Sequence, residues 1–394
     1  MKGLSIALLG LLLTLTAHAL TPGPALVVEQ DRARILAAAE KALEMPAISL
    51  TQHHSPLSEG GPNDFFSMSD YYWPDPASAD GKPYIMRDGQ SNPGNFIEHR
   101  LALMKMRDVT SSLAAAFLLT REEKHAQKAV DLLRVFFLDP ATRMNPHLDL
   151  AQAIVGKPTP ERGTGLIDTL HLTEVPLSIL ALRDSKAMTP ETFDALLKWF
   201  TDYTEWFVTS PKGKNEAKAK NNHAVAYWLQ VAAFATLTKN DALLDECRRQ
   251  FKEVFVTVQM APDGGFPLEL GRTKPYAYSI FQLDNMASLC QLLSTPSDNL
   301  WTFTTPDGRG IRKALAYLQP YLADKASWPL KPDIVAWEGW PTRQSALVLG
   351  GIALQEEKYL ALWRRLKPDP EDYEIRRNNA ITQPLLWTSV LGQK

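Results

Sequence analysis

Lys220-Asn221-Asn222-His223-Ala224-Val225-Ala226-Tyr227-Trp228-Leu229-Gln230 stands mid-chain inside a long helical pattern, and its polar residues are oddly placed. Ala224, Ala226, Leu229, Val231, Ala232, Ala233 and Ala235 form an apolar helix, so the paired amides and the imidazole at its start sit where burial is expected. His223, Tyr227 and Gln230 fall at i, i+4 and i+7 and therefore share one helix face. Two readings fit. One is a satisfied polar helix start, since Asn favours caps and a buried His finds a hydrogen bond. The other is a set of polar side chains converging on a site.

Outward from this stretch the chain reads as a train of helices. An amphipathic helix is predicted from Asp31 to Glu44, and two helices between Glu98 and Leu138 divide near Thr120-Arg121 into a helical hairpin. Further helices are predicted at 168–184, 190–208, 215–237, 240–259, 277–294, 308–322, 342–354, 356–365 and 381–391. Almost no alternating strand pattern accompanies them, so the fold class is all-α. Paired helices recurring at roughly 40 to 60 residues point to an α/α toroid or solenoid. In such a ring the long connections gather at one mouth. Residues 50–97, 139–167 and 260–276 are those connections, and the aromatics Phe65, Phe66, Tyr71, Tyr72, Trp73 and Tyr84 mark the first as ordered, either as a wall able to stack on sugar rings or as a plug in the core. Trp328-Pro329-Leu330-Lys331 with Trp337, Glu338 and Trp340 either completes the cleft, the favoured expectation, or merely seals the ring.

Composition excludes several functions. Lys and Arg number 42 against 44 Asp and Glu, which gives no field suited to nucleic acid, so a polyanionic substrate must find its positive charge locally. Cys247 and Cys290 are too few for a metal cage, and read as buried thiols, with one disulfide as the alternative. His53-His54 has no further ligand at useful spacing. Met1 to Ala19 has the form of a secretory signal peptide, with Lys2, an apolar run from Leu4 to Leu15, and Ala17-His18-Ala19 as the cleavage site. A periplasmic or secreted single domain from residue 20 to 394, with no membrane anchor, is the expectation.

A second stretch selects the chemistry. Asp263-Gly264-Gly265-Phe266-Pro267-Leu268-Glu269-Leu270-Gly271-Arg272-Thr273 leads into a helix carrying Tyr276, Tyr278, Phe281 and Asp284. Amide, imidazole, guanidinium and phenol are the groups needed to take a proton from carbon beside a carboxylate and expel an alkoxide. The sequence resembles the alginate lyase superfamily of helical-toroid polysaccharide lyases, which act on mannuronan, alginate and glucuronan. Four segments carry the resemblance in the family's order. They are Tyr72-Trp73-Pro74-Asp75-Pro76 with Pro83-Tyr84 and Arg87-Asp88-Gly89; Thr142-Arg143-Met144-Asn145-Pro146 with Ala151-Gln152; Asn221-Asn222-His223 with Tyr227 and Gln230; and Asp263-Gly264 with Glu269-Leu270, Arg272-Thr273 and Tyr278. Trp228 departs from the pattern, since many relatives with the Asn-Asn-His run carry a small polar or acidic residue there, and it bears on subsite preference.

The resemblance implies β-elimination at a 4-linked uronate without metal or cofactor. Asn222, assisted by Arg272, neutralises the substrate carboxylate; neutral His223 is the base; Tyr278 is the acid, or both acid and base on the syn face, with Tyr276 its rival. Tyr72, Trp73, Arg143, Asn145, Gln152, Asn221, Tyr227, Gln230 and Tyr276 are candidate substrate contacts, and the partner implied is an anionic uronate polysaccharide. The uronate stays open among mannuronate, guluronate and glucuronate. Two other functions are weighed: an inverting glycoside hydrolase using Glu269 and Asp263, and a non-catalytic polysaccharide binder.

Overall fold

The computed structural model describes residues 22–391. The export signal read in Met1 to Ala19 lies outside the described residues.

Apolar content sorts the helices into two rings. Helices α2 (Glu98–Thr120), α4 (Glu174–Ala181), α7 (Asn222–Thr238), α10 (Pro275–Leu293), α12 (Ser345–Leu354) and α15 (Pro384–Ser389) are buried over most of their surface, α7 and α10 on nearly every face. A helix apolar all round has to lie inside. Each of these packs on the next, and α15 returns to α2, so the six close an inner ring among the described residues. Amphipathic helices cover it from outside: α1 (Pro22–Leu43) and α3 (Glu123–Phe137) on α2, α5 (Pro190–Thr209) and α8 (Asp241–Gln250) on α7, α11 (Ile311–Ala323) on α10, and α13 (Glu357–Arg365) on α12. On α3 the buried stripe includes Ala126, Ala129, Val130, Leu133, Phe136 and Phe137, the face its periodicity predicts. The result is an α/α toroid. No described helix is long and apolar enough to cross a membrane. Cys247 and Cys290 are unpaired, buried thiols.

Three departures from the predicted helices matter. The first helix already covers the residues ahead of Asp31, over Pro22–Leu43 among the described residues. The helix predicted at 168–184 is a tight 3₁₀ stretch over Gly163–Thr173 followed by the short α4. Gly163 packs so closely on α6 (Pro211–Glu216) that a Cβ would collide with the Lys212 carbonyl oxygen. The helix predicted at 215–237 is broken, with α6 ending at Glu216 and α7 beginning at Asn222. The indole of Trp228 donates to the Ala217 carbonyl oxygen at 3.2 Å and pins the intervening turn, so the unusual Trp228 is structural here.

Short strands tie the long connections together. β1 (Phe66–Met68) runs parallel to β4 (Leu150–Ala153), and β2 (Tyr72–Trp73) pairs antiparallel with β3 (Ile85–Met86). The first and second loops are thereby joined over one mouth of the ring. The tryptophan-rich segment does not complete that mouth: Trp328 and Trp337 pack edge-on against Tyr276, and Asp333 accepts from the Tyr276 and Ala277 backbone N–H groups at the start of α10. It seals the ring instead. A C-terminal segment containing α14 (Tyr373–Arg376) reaches the cleft in its place.

Candidate active site

Asn222, His223, Arg272 and Tyr278 line one solvent-open cavity of about 150 Å³. Ser69 to Tyr72 and Met86 come to it from the first loop, Gln152, Arg162 and Thr164 from the second, and Arg377 and Asn378 from the C-terminal segment.

The helix break sets the first two residues. Asn222 opens α7, where a backbone N–H has no intrahelical acceptor, and donates instead to Oε1 of Glu269, on the one-turn helix α9 (Pro267–Leu270), at 2.8 Å. Its side-chain Nδ2 donates to Glu269 Oε2 at 2.5 Å. Burial pushes the Glu269 carboxyl above its ordinary range and the two Asn222 donors pull it back. The amide is thus fixed, with its second hydrogen left for the cavity. His223 Nδ1 lies 2.5 Å from Glu216 Oε1, the last residue of α6, with the histidine side chain 23% and the glutamate 7% exposed. A carboxylate accepts, so Nδ1 carries the proton and Nε2 presents its lone pair.

Tyr278 lies in the first turn of α10, and its hydroxyl is 2.7 Å from that of Tyr71. Tyr71 accepts from Lys274 Nζ at 3.0 Å and from Arg377 Nη2 at 2.7 Å. With both lone pairs taken, Tyr71 must donate its proton to Tyr278. The Tyr278 proton is then left for the cavity. Burial, and after it the neighbouring Tyr71 hydroxyl, hold the Tyr278 phenol well above its ordinary pKa, against the pull of Arg272 and Arg377. The Arg272 guanidinium stands 4.3 Å from the Tyr278 ring centroid, and donates to Asp88 with Nη2 to Oδ1 at 2.6 Å.

A buried ion network forms the floor. Arg100 makes paired 2.6 Å bonds to Asp70, which also receives Arg377; Glu374 holds both Lys274 and Arg377. Asp168 accepts from Ser67 Oγ at 2.5 Å and Gln152 Nε2 at 2.7 Å. Gln152 itself sits at φ 51°, a left-handed conformation that costs a non-glycine residue on the order of 1–3 kcal/mol. Among the described residues no group of three or more His, Cys, Asp or Glu is placed to hold a metal ion.

The sequence model of the alginate lyase family matches residues 49–328. The chain belongs to the alginate lyase family. Membership makes it a polysaccharide lyase. It is similar to the crystal structure of an alginate lyase from Bacteroides ovatus, with 34% identity over 93% of this chain and 97% of that one and a TM-score of 0.79. A histidine-to-alanine variant of alginate lyase A1-III from a Sphingomonas species, complexed with a tetrasaccharide, is 12% identical over 89% of this chain and 93% of that one, with a TM-score of 0.53, and shares the fold. No curated protein sequence matches the chain.

Of the residues expected to meet an alginate-type substrate, Tyr72 and Gln152 line the cavity with the four catalytic candidates. The others stand elsewhere. Tyr227 stacks on Phe207 in the core and donates to its carbonyl oxygen at 3.2 Å. Gln230 is fully buried, bonded to Leu166, Ala226 and Thr169. Tyr276 donates to the Tyr321 carbonyl oxygen behind α10. Arg143 is exposed, and its carbonyl receives Asn63, while Asn145 donates to Asp64, so both tie loop to loop. Trp73 faces away from Tyr72 across the strand, donating to the Gln90 carbonyl oxygen beneath Arg87. Asn221 is the residue before α7 and makes no side-chain cap. The hydrolase pair does not form: Glu269 is occupied by Asn222, and Asp263 accepts from Gly265 N in its own turn. Sequence reasoning missed Glu216, Tyr71, Arg162 and Arg377 as site residues. Tyr71 carried a signal as one of the aromatics of the first loop, and Arg162 as a basic residue of the second.

Proposed function

We propose that this enzyme cleaves a 4-linked uronate polymer of the alginate type by β-elimination. The observation that carries the reading is the meeting of Asn222, His223, Arg272 and Tyr278 in one cavity, with Glu216 behind the imidazole and Tyr71 behind the phenol. The Asn222 amide and the Arg272 guanidinium receive the substrate carboxylate and stabilise the enolate charge that gathers there. His223 Nε2 takes the C5 proton. The C5 electron pair forms the C4–C5 double bond, the C4–O4 bond breaks, and Tyr278 gives its proton to O4. Tyr71 then donates to the phenolate, with Lys274 and Arg377 behind it. The products are a 4,5-unsaturated uronate end and a new chain end, and solvent returns the His223 proton to Tyr278.

The Tyr71 array also favours a second reading, in which Tyr278 both takes and gives the proton from one side and His223 only binds. His223→Ala separates the two: residual turnover near that of wild type supports Tyr278 as base. The reaction itself is tested by ultraviolet absorbance of the unsaturated end on mannuronan, guluronan, alginate and glucuronan. Chain shortening without that absorbance would mean hydrolysis and end the proposal. Removal of residues 1–19 on export would place the enzyme where such a polymer is met, and N-terminal sequencing of the mature protein checks it.

A further inference from the structure

Four arginines line the cavity, and three are already neutralised: Arg100 by Asp70, Arg377 by Asp70 and Glu374, Arg272 by Asp88. Arg162 is the exception. Its Nη1 donates to the Gln152 carbonyl oxygen at 3.1 Å and its guanidinium stands 5.5 Å from the Tyr72 ring centroid, and it forms no ion pair with any described residue. Burial pushes its pKa below the ordinary arginine range. Lys212, buried close to it, donates Nζ to the Thr159 carbonyl oxygen at 3.2 Å and also forms no ion pair among the described residues. Two cations without a direct ion pair therefore stand beside the turn that ends at Arg162, with Glu216 and Asp168 acting on the first and Asp149 on the second only through space. A cation drawn out of water without a counter-ion is unfavourable unless an anion meets it. A polyuronate brings one carboxylate on every sugar.

We propose that Arg162 is a specificity-determining contact that binds the carboxylate of the uronate adjacent to the one undergoing elimination, with the Tyr72 ring as the platform beside it. This rests on the lyase reading. The reacting uronate is served by Asn222 and Arg272 on α7 and before α10; Tyr72 and Arg162 line the same cavity from the first and second loops, which leaves them to meet the next sugar along the chain. The competing view is that Arg162 only clamps the left-handed Gln152 through its carbonyl oxygen.

The test is kinetics on mannuronan with Arg162→Gln, which keeps a donor for the Gln152 carbonyl, and Arg162→Lys, which keeps the charge. Losing a charge-assisted contact made equally in the ground and transition states raises KM about 10- to 100-fold for Arg162→Gln, with kcat within about threefold. Arg162→Lys recovers part of the affinity, and the salt dependence of KM flattens in the Gln variant. An unchanged KM overturns the proposal. So does a fall in kcat alone, or equal losses in both variants accompanied by a lowered Tm, which is what a backbone clamp would give. Calorimetric affinity for an oligomannuronate needs no turnover, so it tests Arg162 even if wild-type enzyme makes no unsaturated ends, the result that would sink the lyase reading itself.

Discussion

Glu216→Gln keeps the shape of the group behind His223 and removes its charge. When His223 takes a proton, an imidazolium forms against a carboxylate whose oxygen is 2.5 Å from Nδ1 and whose side chain is 7% exposed. Unit charges with centres about 4 Å apart interact by roughly 4 kcal/mol at an effective dielectric constant near 20. Proton transfer is incomplete in the transition state and His223 is 23% exposed, which together reduce the usable part. About 1.5–3 kcal/mol remains, or roughly 10- to 150-fold in kcat. The glutamine carbonyl still accepts from Nδ1, so the tautomer and KM should hold. Initial rates of unsaturated-end formation, with thermal unfolding to show an intact fold, measure this. A Glu216→Gln enzyme with kcat within about twofold of wild type would refute the argument and move the base from His223 to Tyr278.

Tyr278→Phe should lower turnover by about 10²–10⁴ while oligouronate still binds, because general-acid help is lost. Tyr276→Phe should stay active, since that hydroxyl bonds the Tyr321 carbonyl oxygen behind α10; a dead Tyr276 variant beside an active Tyr278 variant would reverse the assignment. Arg272→Ala should raise KM and lower kcat together, because it removes a carboxylate contact and unties Asp88; kinetics unchanged in both would remove Arg272 from the site. Asp284, buried under the start of α12 where it accepts from Ala346 N, has its carboxyl pushed by burial up to about 7. Its stabilising contribution is complete below about pH 4 and is lost as pH rises through that raised value, by up to roughly 4 kcal/mol. Asp284→Asn should flatten the fall in Tm between pH 4 and 8, and an undiminished fall would show that another group is responsible.

Helix faces were legible in the sequence because they depend on near neighbours, and depth was not. His223, Tyr227 and Gln230 do share a face of α7, but at 1.5 Å rise per residue Tyr227 lies about 6 Å and Gln230 about 10 Å further along the axis. His223 is therefore at the mouth, while Tyr227 already reaches Phe207 and Gln230 reaches Leu166 and Thr169 in the ring's core. Periodicity assigns an azimuth and leaves open where along the helix the core begins. Arg377 and Glu374 had no local signal, since they meet Tyr71 and Lys274 only because the C-terminal segment crosses the mouth.

The break before α7 was hidden for a different reason. Ala217-Lys218-Ala219-Lys220 is made of good helix formers, and continuous helix is what their propensities favour. Tertiary contacts override them: Glu269, 47 positions away, takes the Asn222 backbone N–H, and the Trp228 indole takes the Ala217 carbonyl oxygen. In an unbroken helix Glu216 would lie about two turns and 10 Å along the axis from His223, out of reach of Nδ1. The same buried carboxylate that orients the Asn222 amide thus helps bring the imidazole to its glutamate, so the proposed catalytic constellation forms only when α7 and the segment before α10 have docked.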